Sequence, residues 1–183
     1  MWRVVQIALM VLCLIAIAFT SACSTMKPQD FADQSPILKP EQYFVGETKG
    51  HGVFYDRFRN LKTRFIVSLS GAWDGTKVLS LKERLSYQDG TKTERTFTIT
   101  KQNEHLYEVT MADLVGPGTI EVFGNCMRWS YRLNQDVGGG RIVTLTFDDW
   151  MFLQEDGVVL NRAYASKFGI GLGEVFMSVQ KLS

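Results

Sequence analysis

From residue 43 onward, apolar and polar side chains alternate in short segments that glycine-containing breaks interrupt at intervals of roughly ten residues. The segments 51–58, 63–73, 77–87, 92–101, 105–112, 118–124, 126–134, 141–150, 158–166 and 171–181 are rich in aromatic and β-branched residues and predict strands. No stretch carries a helical period. Asp74-Gly75, Asp89-Gly90 and Asp156-Gly157 predict two-residue type I′ hairpins, because that turn needs positive φ twice and glycine supplies it without a steric penalty. Gly138-Gly139-Gly140 predicts another connection, and Gly169-Ile170-Gly171-Leu172-Gly173 a bend before the last strand. Eight to ten strands joined in sequence order by short turns predict an antiparallel up-and-down β-barrel, which removes exposed sheet edges. A β-sandwich is the alternative.

Strand parity then assigns faces. Phe65, Val67, Leu69, Gly71 and Trp73 share one side of their segment, as do Leu79, Leu81, Leu85 and Tyr87, and Met127, Trp129, Tyr131 and Leu133. Arg64, Ser68, Ser80, Lys82, Arg84, Arg128 and Arg132 lie on the other, so one face is wet and one buried.

Three charges break the buried register: Glu83 between Leu81 and Leu85, Arg95 two before Phe97, and Asp149 two after Phe147. A lone buried charge costs several kcal/mol, so these groups are expected to pair or to line a wet cavity. Glu83 and Arg95 fall on strands joined at the Asp89-Gly90 turn, and pairing about that turn brings either Glu83 or Arg84 near Arg95, depending on register. Trp129 and its aromatic neighbours either fill the barrel or line an apolar ligand cavity. Asp148 and Asp149, adjacent on a strand, point to opposite faces and do not share a metal.

The first 22 residues have a different pattern. Met1-Trp2-Arg3 precedes an uncharged apolar run of about 16 residues, shorter than the ~20 that cross a bilayer core, and Thr20-Ser21-Ala22-Cys23 closes it. This predicts a cleaved export signal. Ser21-Ala22-Cys23 resembles the lipobox of bacterial lipoproteins, with Thr20 where that pattern usually has leucine, and the resemblance implies lipidation at Cys23. Stable anchoring takes more than one chain, which lipoprotein maturation supplies. Residues 23–42 hold three prolines and no period, and predict a flexible tether that Phe31, Ile37 and Leu38 tack in part onto the domain surface; residues 43–183 form the barrel domain. Ser24 is not the aspartate associated with inner-membrane retention, which favours an outer-membrane address facing the periplasm.

Removing residues 1–22 takes away Arg3 and no acid, leaving 19 basic and 19 acidic groups. Without a basic excess a nucleic-acid partner has no electrostatic support. Cys13 leaves with the signal and Cys23 is acylated, so Cys126 has no disulfide partner. His51 and His105 sit in different segments without metal-ligand spacing, and neither serine nor Cys126 has a visible base. No cofactor or metal is expected.

Phe44-x-Gly46, Gly50-x-Gly52 leading to Asp56-Arg57-Phe58, Gly71-x-Trp73-Asp74-Gly75, Leu81-x-Glu83-x-x-x-Tyr87-x-Asp89-Gly90, Asp148-Asp149-Trp150-Met151, Asn161-Arg162 and Phe168-Gly169 together resemble the bacterial lipoprotein family called domain of unknown function 3833. The resemblance spans about residues 40–182. It implies a lipocalin-like barrel without an assigned activity, and it marks Glu83, Arg95, Asp149, Trp150, Asn161 and Arg162 as a shared polar site. The function these readings favour is a membrane-anchored barrel that binds a small apolar or amphipathic ligand through those residues and Trp129. An isomerase- or hydrolase-type enzyme using Glu83, Arg95 and Asp149 is a second reading. A structural envelope protein that offers Arg64, Arg84, Arg128 and Arg132 to a partner is a third.

Overall fold

The computed structural model describes residues 26–136 and 139–182. Cys23 and the signal segment lie outside the described residues. Ten antiparallel strands make up almost all of the rest: β1 Gly46–Asp56, β2 Leu61–Trp73, β3 Val78–Tyr87, β4 Lys92–Lys101 and β5 Leu106–Thr110, then β6 Gly118–Phe123, β7 Cys126–Asp136, β8 Ile142–Leu153, β9 Val158–Lys167 and β10 Ile170–Lys181. Each pairs with its neighbours in sequence, and β1 pairs with β10 from Thr48↔Lys181 to Asp56↔Gly173, which closes the barrel. The fold is thus an all-β, closed, up-and-down barrel.

The predicted faces are the observed ones. Val67, Leu69, Leu79, Leu81, Met127 and Leu133 are buried inside, while Arg64, Lys82, Arg84 and Arg132 face out. The wet side is therefore the outside, the reverse of a barrel that meets lipid along its wall. Among the described residues no helix is long and apolar enough to cross a membrane.

The turns differ from the expectation. Gly90 and Gly157 have positive φ, but Asp89 and Asp156 do not. In each, a three-residue loop folds as a turn followed by the left-handed glycine: Gly90 N–H donates to Tyr87 C=O, and Tyr87 N–H to Thr91 C=O. The aspartate acts through its side chain instead, with Asp89 Oδ1 accepting from Thr91 N–H at 2.9 Å. Asp74 does more of the same, its Oδ1 accepting from the amides of Thr76, Lys77 and Val78. The two-residue turn with positive φ at both positions is Phe168-Gly169, between β9 and β10.

The segment read as a flexible tether is folded from Met26 on, against the barrel. A 3₁₀ turn at Pro28–Phe31 and a short helix α1, Pro40–Tyr43, are connected by an irregular stretch. Scattered apolar residues that follow no period dock one by one. Leu38 is fully buried, with its amide on Gly124 C=O at 2.9 Å, and Phe31 meets the Phe152 ring edge-on. Burying Leu38 alone contributes about 1.5–3 kcal/mol. The Tyr43 hydroxyl bonds the backbone oxygens of Gly157 and Val179 at 2.9 Å each. Glu41 accepts from Tyr107 at 2.7 Å and pairs with Lys101. At Gly71 a Cβ would lie 1.8 Å from Phe44 C=O, so glycine is what allows the segment to approach β2 so closely. This segment plugs one end of the barrel. The opposite end carries the β1–β2, β3–β4, β5–β6, β7–β8 and β9–β10 connections.

Candidate ligand-binding site

Above the plug the core is solid, and nearer the opposite end it gives way to a cavity of about 740 Å³. That volume falls within the several-hundred to about 1,000 Å³ range of small-molecule sites. Its origin is a mismatch in side-chain size. Midway along its inner face β9 offers the small Ala163 and Ala165, between Asn161 and Lys167, while Phe65, Tyr87 and Phe97 line the far wall. The alanines cannot reach across, so the space between stays open.

The walls are mainly apolar, and part of them is a chain of aromatic rings fixed by one another. Phe97 meets Trp129 edge-on at 4.9 Å between ring centres, Trp129 meets Tyr131 at 5.2 Å, and Tyr131 stacks on Phe147 at 5.1 Å. Edge and offset ring contacts of this kind add about 0.5–1.5 kcal/mol beyond area burial, so the surface is preformed.

Into this apolar lining the strands project a small polar group. Asp149 is 6% exposed. Its Oδ2 accepts from the Tyr131 hydroxyl at 3.4 Å, and its Oδ1 has no partner among the described residues. Burial, and then the nearby charge of Glu83, push its carboxyl up to about 8. Burial also raises Glu83, against the opposing pull of Arg95. What surface Glu83 still exposes faces the cavity rather than bulk water. Tyr131 is held well above the usual phenol range, by burial first and by the two carboxyls next. Asn161, deeper and almost wholly buried, donates weakly to Trp150 C=O at 3.4 Å and leaves its Oδ1 unpartnered.

Glu83 and Arg95 sit directly opposite each other on β3 and β4, the first of the two registers that the turn allowed. Yet no ion pair within 4.0 Å joins them among the described residues; the Arg95 guanidinium bonds Gln135 Oε1 at 3.0 Å. The reason lies in the wall. The β4–β5 ladder runs only from Thr98 to Lys101, and the β5–β6 connection is held against β7 by Val115 N–H on Arg132 C=O and Asn134 N–H on Asp113 C=O, both 2.9 Å. The upper half of β4 is thus left beside a seam, and the Arg95–Gln135 bond bridges it.

Of the residues the sequence selected, the structure brings Glu83, Arg95, Trp129, Asp149 and Asn161 to this cavity. Trp150 and Arg162 are not there. They neighbour inward residues in sequence, so strand alternation turns them outward. Trp150 lies beneath the Arg128 guanidinium, with Nε1 donating to Asp148 at 3.3 Å. Arg162 pairs with Glu174 at 2.7 Å and rests on the rings of Tyr164 and Phe176. Residues passed over in the sequence complete the site: Tyr131 as the partner of Asp149, Gln135 at the seam, and Arg141 and Lys167 toward the mouth. Parity held the signal for three of them, since Tyr131 follows Trp129 by two, Gln135 follows Leu133 by two and Lys167 follows Ala165 by two.

The chain belongs to the family described as Protein of unknown function (DUF3833), whose model matches residues 17–181. Comparison with the curated proteins gives no match. Among solved structures it is similar to a protein of unknown function from the DUF3598 family of Nostoc punctiforme, with a TM-score of 0.56 at 12% identity over 81% of this chain and 51% of that one. It therefore spans about half the length of the Nostoc protein. It is also similar to the S-type phycobiliprotein lyase CPES of Guillardia theta, with a TM-score of 0.56 at 8% identity, covering 87% and 99% of the two chains. Rv2717c of M. tuberculosis matches with a TM-score of 0.55 at 13% identity, over 82% and 100%. At these identities the likeness is one of fold.

Proposed function

We propose that this DUF3833 family member is a binding protein: a lipid-anchored envelope barrel, tethered through Cys23, that holds one small molecule with an apolar body. The observation that carries the reading is the cavity of about 740 Å³, closed at one end by the N-terminal plug and walled in part by aromatic rings already in contact with one another. Preformed apolar walls bind without a large ordering cost. The unpartnered oxygens of Asp149 and Asn161 give the ligand one polar end: the amide oxygen of Asn161 gains a hydrogen bond when a donor enters beside it, and the protonated carboxyl of Asp149 when an acceptor does. The anchor rests on the Thr20–Cys23 pattern, and an outer-membrane position facing the periplasm follows from Ser24 in the same way.

The test is to purify the full chain from its native host and combine native mass spectrometry with organic extraction. One apolar or amphipathic molecule per chain is the expected result. Protein that emerges empty from every preparation contradicts the proposal.

A further inference from the structure

The four most exposed large apolar side chains of the barrel stand at its mouth: Phe168 is 91% exposed, Phe58 70%, Ile170 60% and Ile142 59%, and Leu61 joins them at 44%. All five stand at or beside three connections: β1–β2, β9–β10 and β7–β8. Because β1 adjoins β10 and β8 adjoins β9, these three tips form one continuous arc of the rim.

The same arc carries Arg57, Arg59, Lys62, Arg141 and Lys167, against Asp56 and Asp136. Asp56 is occupied by its own turn, its Oδ1 accepting from the amides of Phe58 and Asn60. Arg57 and Lys167 each sit beside the phenyl ring next to them in sequence, at 4.7 and 5.3 Å. Across the mouth, the β3–β4 tip is Gln88-Asp89-Gly90-Thr91, and it shows no such cluster.

Two features argue that this arc is built rather than incidental. Arg59 and Phe168 both adopt the left-handed backbone region, with φ of 66° and 52°, which costs a non-glycine residue on the order of 1–2 kcal/mol. For Phe168 the turn between β9 and β10 imposes that cost, which places an aromatic ring in water with Lys167 beside it. Contiguous apolar groups rimmed by polar ones mark interaction surfaces. Aromatic and aliphatic tips interleaved with Arg and Lys match an interface where rings enter the acyl boundary and cations meet anionic headgroups.

We infer that the arc formed by the β1–β2, β7–β8 and β9–β10 tips docks on the surface of an anionic lipid bilayer, bringing the mouth of the cavity against the membrane. This inference is separate from the Cys23 anchor proposed above and from the identity of any ligand: the chain is folded at the plugged end from Met26 on, so the bilayer met by the mouth is one facing the anchored membrane rather than the one that holds Cys23. It gives the cavity a route by which an apolar molecule passes between bilayer and barrel without crossing water.

Local amide hydrogen exchange on the full chain tests it, because the exchange rate reports on each tip separately and the anchored end does not contribute. Vesicles of phosphatidylcholine, alone or mixed with phosphatidylglycerol, are added at low salt. The expected result is exchange about tenfold slower at residues 57–62, 141–142 and 168–170 with the anionic vesicles only, no change at 88–91, and loss of the effect at high salt. The double substitution Phe58→Ser and Phe168→Ser should weaken the protection at least about tenfold, the loss expected from two unburied phenyl groups. The inference is overturned by equal protection with neutral vesicles, by equal protection at 88–91, or by no protection with either kind. Protection of the arc by lipid-free envelope extract, and by neither kind of vesicle, overturns it in favour of a protein partner.

Discussion

The Tyr131 hydroxyl donates to Oδ2 of Asp149 at 3.4 Å, and that long contact is the sole hydrogen bond made by the carboxyl's side-chain oxygens among the described residues. A buried acid so sparsely held keeps its proton, and its charge state becomes a property of whatever shares the cavity with it.

The stability of the ligand-free protein should therefore fall as pH rises. Unfolded, Asp149 releases its proton near the ordinary aspartate value of 3.8; folded, it does so at about 8. Between those values the folded state binds a proton that the unfolded state has lost, so stability declines across the window and levels off above it. Glu83, also raised, acts in the same direction. Asp149→Asn should be more stable than the native chain at pH 8, by up to a few kcal/mol, with the advantage gone near pH 4. Thermal melting of both proteins across that range checks it; parallel curves would contradict it.

The plug should depend on Glu41. Burial pushes its carboxyl up, but the bonds from Lys101 and Tyr107 outweigh this and hold it below the usual range. Glu41→Ala leaves the Tyr107 hydroxyl without its acceptor and should cost about 1–3 kcal/mol in chemical denaturation. Lys101 can turn to water, so it contributes little of that. A loss under about 0.5 kcal/mol would show that apolar docking alone seats the segment.

The seam makes a kinetic prediction. Gln135→Ala removes the bond to Arg95 at a cost of about 1 kcal/mol or less, because the site is partly exposed. Dissociation of a bound apolar probe, followed by stopped-flow displacement, should accelerate several-fold while the affinity changes less. An unchanged rate would mean that ligands exchange only through the mouth.

Cys23→Ser should move the protein from the membrane to the soluble fraction with its β-sheet circular dichroism intact. Attachment that persists through a high-salt wash, which releases docking by the charged arc, would show that residues 4–19 stay on as an uncleaved anchor.

Much of this architecture was legible in the sequence because a strand's period of two leaves a strong mark when one face is wet. The ten predicted segments match β1 to β10 to within a few residues, and Phe65, Leu81 and Met127 point where parity placed them. The turns were less legible, since Asp-Gly serves a two-residue loop through backbone torsions and a three-residue loop through the aspartate oxygen equally well. The plug was legible only in part, since Phe31 and Leu38 dock as expected and Ile37 does not, while its folded extent left no mark. Leu38, Tyr43 and Phe44 follow the contour of the barrel end rather than any period of their own. Trp150 and Arg162 were misplaced by resemblance where parity would have turned them outward. The cavity itself depended on an absence of bulk at Ala163 and Ala165, and composition says nothing about what stands opposite a small residue.

The most direct test of the account fills that space. Ala163→Phe and Ala165→Phe together place two rings in the cavity, and circular dichroism establishes that the barrel remains folded. Titration with the neutral fluorophore N-phenyl-1-naphthylamine should show saturable binding, one molecule per chain, to the native protein and none to the filled variant. Equal binding by both, or no binding by the native protein stripped of endogenous ligand, would contradict the claim that this cavity is the functional site.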